Sequence, residues 1–299
     1  MFKLGAAVAV LAFAAGSAMA ADAVTEVKID GKNVYNESMY AAPNGDLYFG
    51  ASGTGNIYRA KKGEATATQF VDGAASGHKS ILGVYADYKT NNLYACSVSP
   101  RGEPAQPALS ALKVFNLRNG KLKMSYPIGA GSTCNDVDIS KAGDVYIAET
   151  SGGRVLVLKK GTKGGIEEFV VDARLRGIDG LAFIENGDLI ANTVTSGRLF
   201  AIKPDKTVVE LTPSLKPMRG ADGMRSSGGN RVLQAESGAG RITEITINGT
   251  DAQMRVVKDG IPGTTGVGLV GSTVWINNGK LNDRTPTVTF SAPSVPLGR

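Results

Sequence analysis

Residues 142–158 read AGDVYIAETSGGRVLVL: a glycine turn, a short apolar strand from Val145, a second glycine turn at Gly152-Gly153, and another apolar strand after Arg154. The phrase recurs. NGDLYFGASGTGNIYR covers 44–59, NGDLIANTVTSGRLFAI covers 186–202 and GNRVLQAESGAGRITEI covers 229–245. One apolar landmark follows the first turn of each copy, at Leu47, Val145, Leu189 and Val232, and two weaker copies add Leu93 and Val274. Before each landmark sits a strand-like segment such as SMYAA, GVYAD, DVDIS, GLAFI or GMRSS, and after it come a hairpin and two further strands. Units of ~40–50 residues holding four short strands are the pattern of β-propeller blades, whereas solenoids need shorter units or helices. The expected fold is therefore all-β: a six-bladed β-propeller whose four-stranded antiparallel blades surround a central channel. VTEVKID, near the start, is expected to lend the last blade an outer strand and close the ring.

Composition agrees. Glycine supplies 39 of 299 residues, well above the usual ~7%. Residues 1–20 form a leader: a positive start ending at Lys3, an apolar run from Leu4 to Ala15, and the small-residue cleavage site Ala18-Met19-Ala20. Residues 21–299 are then one exported propeller domain, periplasmic or secreted. No later stretch reaches ~18 apolar residues, so no membrane insertion is expected after cleavage. The net charge of +6 is scattered in pairs such as Lys61-Lys62, without an aromatic-interleaved basic stripe, so no nucleic-acid partner is expected. A monomer acting on a small-molecule substrate is the expectation. Cys96 and Cys134 are the only cysteines, and an exported chain permits either a bridge or two buried thiols.

The landmarks also set a phase. Ten residues before them stand Glu37, Gly83, Asn135, Asp179, Asp222 and Thr264. Equivalent positions of radially repeated units meet around the axis, so four oxygen ligands should converge at one mouth of the channel. Three carboxylates and an amide carbonyl suit a hard cation, and the absence of Cys or His among them disfavours zinc or copper. Without a cation the three charges would repel strongly. Calcium is favoured over magnesium because it accepts irregular all-protein cages. The competing reading is that these are turn-favouring residues opening strands.

Glu37 with NGDLYFG, the segment CNDVDISKAGDVYIAET, GIDGLAF followed by TSGRLFAI, and GADGM together resemble the SMP-30/gluconolactonase family, related to diisopropylfluorophosphatase-like and paraoxonase-like hydrolases. The resemblance implies a divalent cation held by Glu37, Asp179 and Asp222, with Asn135 touching the metal or the substrate. It departs from the family at Asp179, where Asn is usual, and at Thr133, where the sugar-lactonase branch often has Arg. Its implied chemistry is hydrolysis of a lactone or related ester, with Asp222 as general base or nucleophile and Asn135 orienting the substrate.

Further candidates follow from position. Arg176 and Arg219 each precede a ligand by three residues and could grip an anionic group. Thr133 and Glu149 are placed near the same mouth, Glu149 and Glu236 as partners of the ligands or proton shuttles. The only histidine, His78, reads as a loop residue. A non-enzymatic binding propeller with a structural calcium is the alternative function. The lyase or condensing chemistry of strictosidine synthase-like propellers is disfavoured by the ligand set.

Overall fold

The computed structural model describes residues 24–299 apart from 101, 104–109, 130, 163, 217, 286–287 and 299. The expected leader lies outside the described residues, as do 101 and 104–109 of the segment PRGEPAQPALSA at 100–111. Among the described residues, apart from one 3-10 turn at Ala173–Leu175, the regular structure is β. No helix among the described residues is long and apolar enough to cross a membrane.

After β1 (Glu26–Ile29) the chain builds successive antiparallel units. The first comprises β2 (Asn36–Ala41), β3 (Leu47–Ala51), β4 (Ile57–Ala60) and β5 (Thr66–Val71). The second holds β6 (Ser80–Asp87), β7 (Asn92–Val98), β8 (Ala111–Asn116) and β9 (Leu122–Pro127). The third holds β10 (Cys134–Ile139), β11 (Val145–Glu149), β12 (Arg154–Leu158) and β13 (Glu167–Val171). In the fourth are β14 (Ile178–Phe183), β15 (Leu189–Thr193), β16 (Leu199–Ile202) and β17 (Val208–Glu210). The fifth holds β19 (Ala221–Gly228), β20 (Arg231–Glu236), β21 (Arg241–Asn248) and β22 (Asp251–Lys258), with the short β18 (Thr212–Pro213) added parallel to β22 at its outer edge. The last strands are β23 (Thr264–Val270), β24 (Thr273–Asn278) and β25 (Phe290–Pro296).

These last three pair in order with β1, which runs antiparallel to β25. The segment after the expected leader thus supplies the outer strand. A short parallel pairing, Lys28 with Thr66 and Ile29 with Ala67, joins this group to the first unit, so the two count as one eight-stranded sheet. The leading strands β2, β6, β10, β14, β19 and β23 pack on one another in sequence, and β23 returns to β2. The arrangement is propeller-like.

The landmarks show why the sequence takes this form. Leu47, Leu93, Val145, Leu189, Val232 and Val274 are all at least 98% buried between neighbouring sheets. Fully burying one such side chain contributes about 1.5–3 kcal/mol. Both faces of a second strand are covered, so Val145–Glu149 is apolar throughout except for its last residue. The fourth strands face solvent and alternate or lose apolar character, as in Leu122–Pro127.

Candidate metal centre and substrate cleft

Each leading strand carries a β-bulge, and the bulge falls on the phase that the sequence sets. Asn135 and Asp136 lie between the paired residues Cys134 and Val137, Asp179 and Gly180 between Ile178 and Leu181, and Asp222 and Gly223 between Ala221 and Met224. Glu37 is the extra residue between Asn36 and Ser38, and Gly83 lies within the irregularity of β6. In β23 the extra residue is Thr265, one position after the expected Thr264. A bulge bends its strand and re-aims side chains, here into the channel mouth. Glycine after the acid has a steric reason: a Cβ on Gly180 would come within 2.5 Å of the Asp222 carbonyl oxygen. Asn192 on β15 fills the bulges, accepting from the Gly180 N–H at 2.9 Å and donating to the Asp222 carbonyl at 2.7 Å.

Glu37, Asp179 and Asp222 come together as the phase requires. One carboxylate oxygen from each lies within 4.8 Å of the others, and all three residues are less than a tenth exposed. Asn135 joins them, its Nδ2 donating to Asp179 Oδ2 at 3.0 Å and to Thr150 Oγ1 at 3.1 Å. Burial pushes the Asp179 carboxyl up to about 7, with Asp136 raising it further and the Asn135 amide opposing. Glu37 is raised well above the carboxylate range by burial and then by Asp179 and Asp136, with Arg225 opposing. Asp222 is raised likewise, by burial and then by Asp179 and Glu37. Three buried acids whose charges oppose one another, in an all-oxygen donor set, fit a hard divalent cation.

Three channel residues escaped the sequence reading: Arg225, Asp136 and Asp138. Arg225, on β19, places its guanidinium against Asp136, which also accepts from the Leu181 N–H at 3.1 Å. Asp138, three residues after Asn135, accepts the N–H groups of Ile139 and Phe183, and burial pushes its carboxyl up to about 6.

The remaining candidates divide. Thr133 lies at the mouth, its Oγ1 2.8 Å from Ser151 Oγ. Glu149 is 1% exposed and accepts from the N–H groups of Thr133, Ser151 and Gly152 and from Arg154 Nε, all within 3.1 Å. It fastens the loop that carries Thr133 and does not line the cavity there. Glu236 is likewise buried, held by Arg241 and Thr243. Arg176 and Arg219 are exposed and border neither cavity that reaches the acidic cluster; Arg219 lines a separate surface pocket. Among the described residues, the arginine that does line one is Arg284, its guanidinium 4.6 Å from the centre of the Tyr35 ring. It sits in a loop of the last unit, outside the repeated phrase, so no periodicity could locate it. His78 packs edge-on against Phe115 and is 2% exposed, so it is a core residue and not a solvated one. Cys96 and Cys134 form a disulfide joining β7 to β10, which anchors the residue next to Asn135.

No protein-family model matches this chain, and no curated protein does. Solved structures share its fold. A gluconolactonase from Xanthomonas campestris covers 88% of this chain and 87% of its own length at 12% identity, with a TM-score of 0.63. The PQQ-bound aldose sugar dehydrogenase from Streptomyces coelicolor covers 92% and 100% at 15% identity and 0.63. Virginiamycin B lyase from Staphylococcus aureus covers 90% and 98% at 11% identity and 0.60. The resemblance to gluconolactonases is thus met at the level of fold. Hydrolase, dehydrogenase and lyase share that fold, so the site must choose the chemistry.

Proposed function

We propose that this chain is a six-bladed β-propeller hydrolase, dependent on a divalent cation, that opens a lactone or related ester. The eight-stranded sheet is read as two blades, the first and the last, touching through the short parallel contact of β1 with β5. Glu37, Asp179 and Asp222 would hold the cation, calcium being favoured, and Asn135 would lie at its edge. The convergence of three buried carboxylates from three separate strands carries the reading. When bound, the cation supplies Lewis acidity towards the ester carbonyl.

The side chains account for the remaining chemistry. Asp222, beside a cavity, takes a proton from water as general base. The water oxygen bonds to the acyl carbon, the acyl–oxygen bond breaks, and the departing alcohol oxygen receives the proton. Asn135 is held by Asp179 and Thr150, which fixes its amide for orienting the substrate. No histidine lies in the cluster. The leader at 1–20 would send the enzyme out of the cytoplasm, where its disulfide would persist.

A panel of lactones and aryl esters, assayed with calcium and with chelator for the native chain and Asp222→Ala, tests the proposal. Calcium-dependent turnover lost in Asp222→Ala supports it. Calcium that raises the melting temperature while no substrate turns over would leave a binding protein with a structural ion.

A further inference from the structure

Two cavities meet at the acidic cluster. One, of about 640 Å³, borders Glu37 and is walled by Tyr35, Leu82, Thr133 and Arg284. The other, of about 430 Å³, borders Asp222 and is walled by Ser237, Thr265 and Lys280. Leu281 lines both, so the tip of its loop is the partition between them. Each cavity alone falls within the ~300–1,000 Å³ of ordinary small-molecule pockets. Glu37 and Asp222 bring oxygens within 4.8 Å of each other, so a group held between them has open space on either side.

The backbone supports a functional partition. Tyr35 has φ 44° and Lys280 has φ 48°, left-handed values that cost energy for residues with side chains of this size. Both flank the cleft, one in each lobe. Tyr35 is held there by its carbonyl, which accepts from Ser52 N at 3.0 Å and Ser52 Oγ at 2.8 Å, and by its ring against Phe290. The strained residue presents its ring to Arg284. That guanidinium has no carboxylate within 4.0 Å among the described residues, its side-chain donor contact being to the Asp283 carbonyl at 3.4 Å. An arginine stacked on an aromatic face keeps its forked donors free for a carboxylate.

We propose that the natural substrate is a two-armed ester with an anionic end, its ester group at the acidic cluster, its acidic arm in the wider lobe against Arg284, and its other arm beyond Leu281. This rests on the hydrolase reading and narrows it: a small neutral lactone ring would fill neither lobe. Arg284 is then a specificity-determining residue.

The test compares, in excess calcium, 4-nitrophenyl hydrogen glutarate with 4-nitrophenyl pentanoate, and 4-acetoxybenzoate with its methyl ester. Each pair differs in one carboxylate, carried on the acyl arm in the first and on the leaving arm in the second. The native chain is expected to favour one acidic ester at least tenfold in kcat/KM, mainly through KM. Arg284→Ala should remove that ratio and Arg284→Glu should invert it, while Leu281→Trp should lower turnover of the two-armed ester more than that of 4-nitrophenyl acetate. The ratio is internal to each variant, so partial misfolding does not alter it. Turnover with equal ratios in the native chain and Arg284→Glu overturns this inference and leaves the hydrolase standing. Absence of turnover on every one of these esters overturns this inference, and absence on the lactone panel as well overturns the hydrolase reading with it.

Discussion

Arg225 and Asp136 form an ion pair inside the channel, with Nη1 2.7 Å from Oδ2 and 3.0 Å from Oδ1. The same guanidinium donates to the carbonyls of Met39 at 3.3 Å and Val84 at 3.2 Å, so one side chain on β19 ties β2, β6 and β10 below the acidic cluster. Removing one partner of a buried pair leaves the other charge uncompensated, at about 3–5 kcal/mol. Arg225→Met is expected to lose stability in that range by urea unfolding, and Arg225→Met/Asp136→Asn to recover part of it. A loss below about 1 kcal/mol, the range of a surface pair, would contradict the role.

The acidic cluster sets a pH dependence in the metal-free protein. The Asp179 carboxyl rises from 3.8 to about 7 on folding, so the folded chain binds the proton more tightly than the unfolded one. Its destabilising effect is absent below pH 3.8, develops as pH rises through the window from 3.8 to about 7, and is complete above it. In chelator, the melting temperature of the native chain should therefore fall across that window more steeply than that of Asp179→Asn. Saturating calcium should shrink the difference. Equal slopes for the two proteins in chelator would count against mutual repulsion at the cluster.

The disulfide offers a third check. Cys96 and Cys134 close a loop over 38 residues, for which chain entropy gives about 4 kcal/mol. Cys96→Ala/Cys134→Ala should melt lower by several degrees. Because Cys134 adjoins Asn135, it should also weaken calcium-dependent turnover; a lower melting temperature with unchanged kcat/KM would make the bridge purely structural.

The repeat and the acidic phase were legible because both depend on spacing alone. A landmark every 42 to 52 residues, buried in every unit, carries the strand order and the side of the channel to which each strand opens. Asp136 was illegible for a definite reason. Strict alternation sends adjacent strand residues to opposite faces, and the bulge at Asn135-Asp136 breaks that rule, turning both towards the channel. Arg225 lay off the phase by three residues and had no sequence-local partner. The same logic misplaced Arg176 and Arg219: proximity in sequence to a ligand did not bring either to the cleft, whereas Arg284 reaches it from a loop that repeats nowhere.

Calorimetric titration of calcium into chelator-treated protein tests the central claim most directly. One ion per chain should bind the native protein, and Glu37→Gln, which keeps shape and removes one charge, should weaken binding at least tenfold. No binding to the native chain, or equal affinity in Glu37→Gln, would contradict a cation held by Glu37, Asp179 and Asp222.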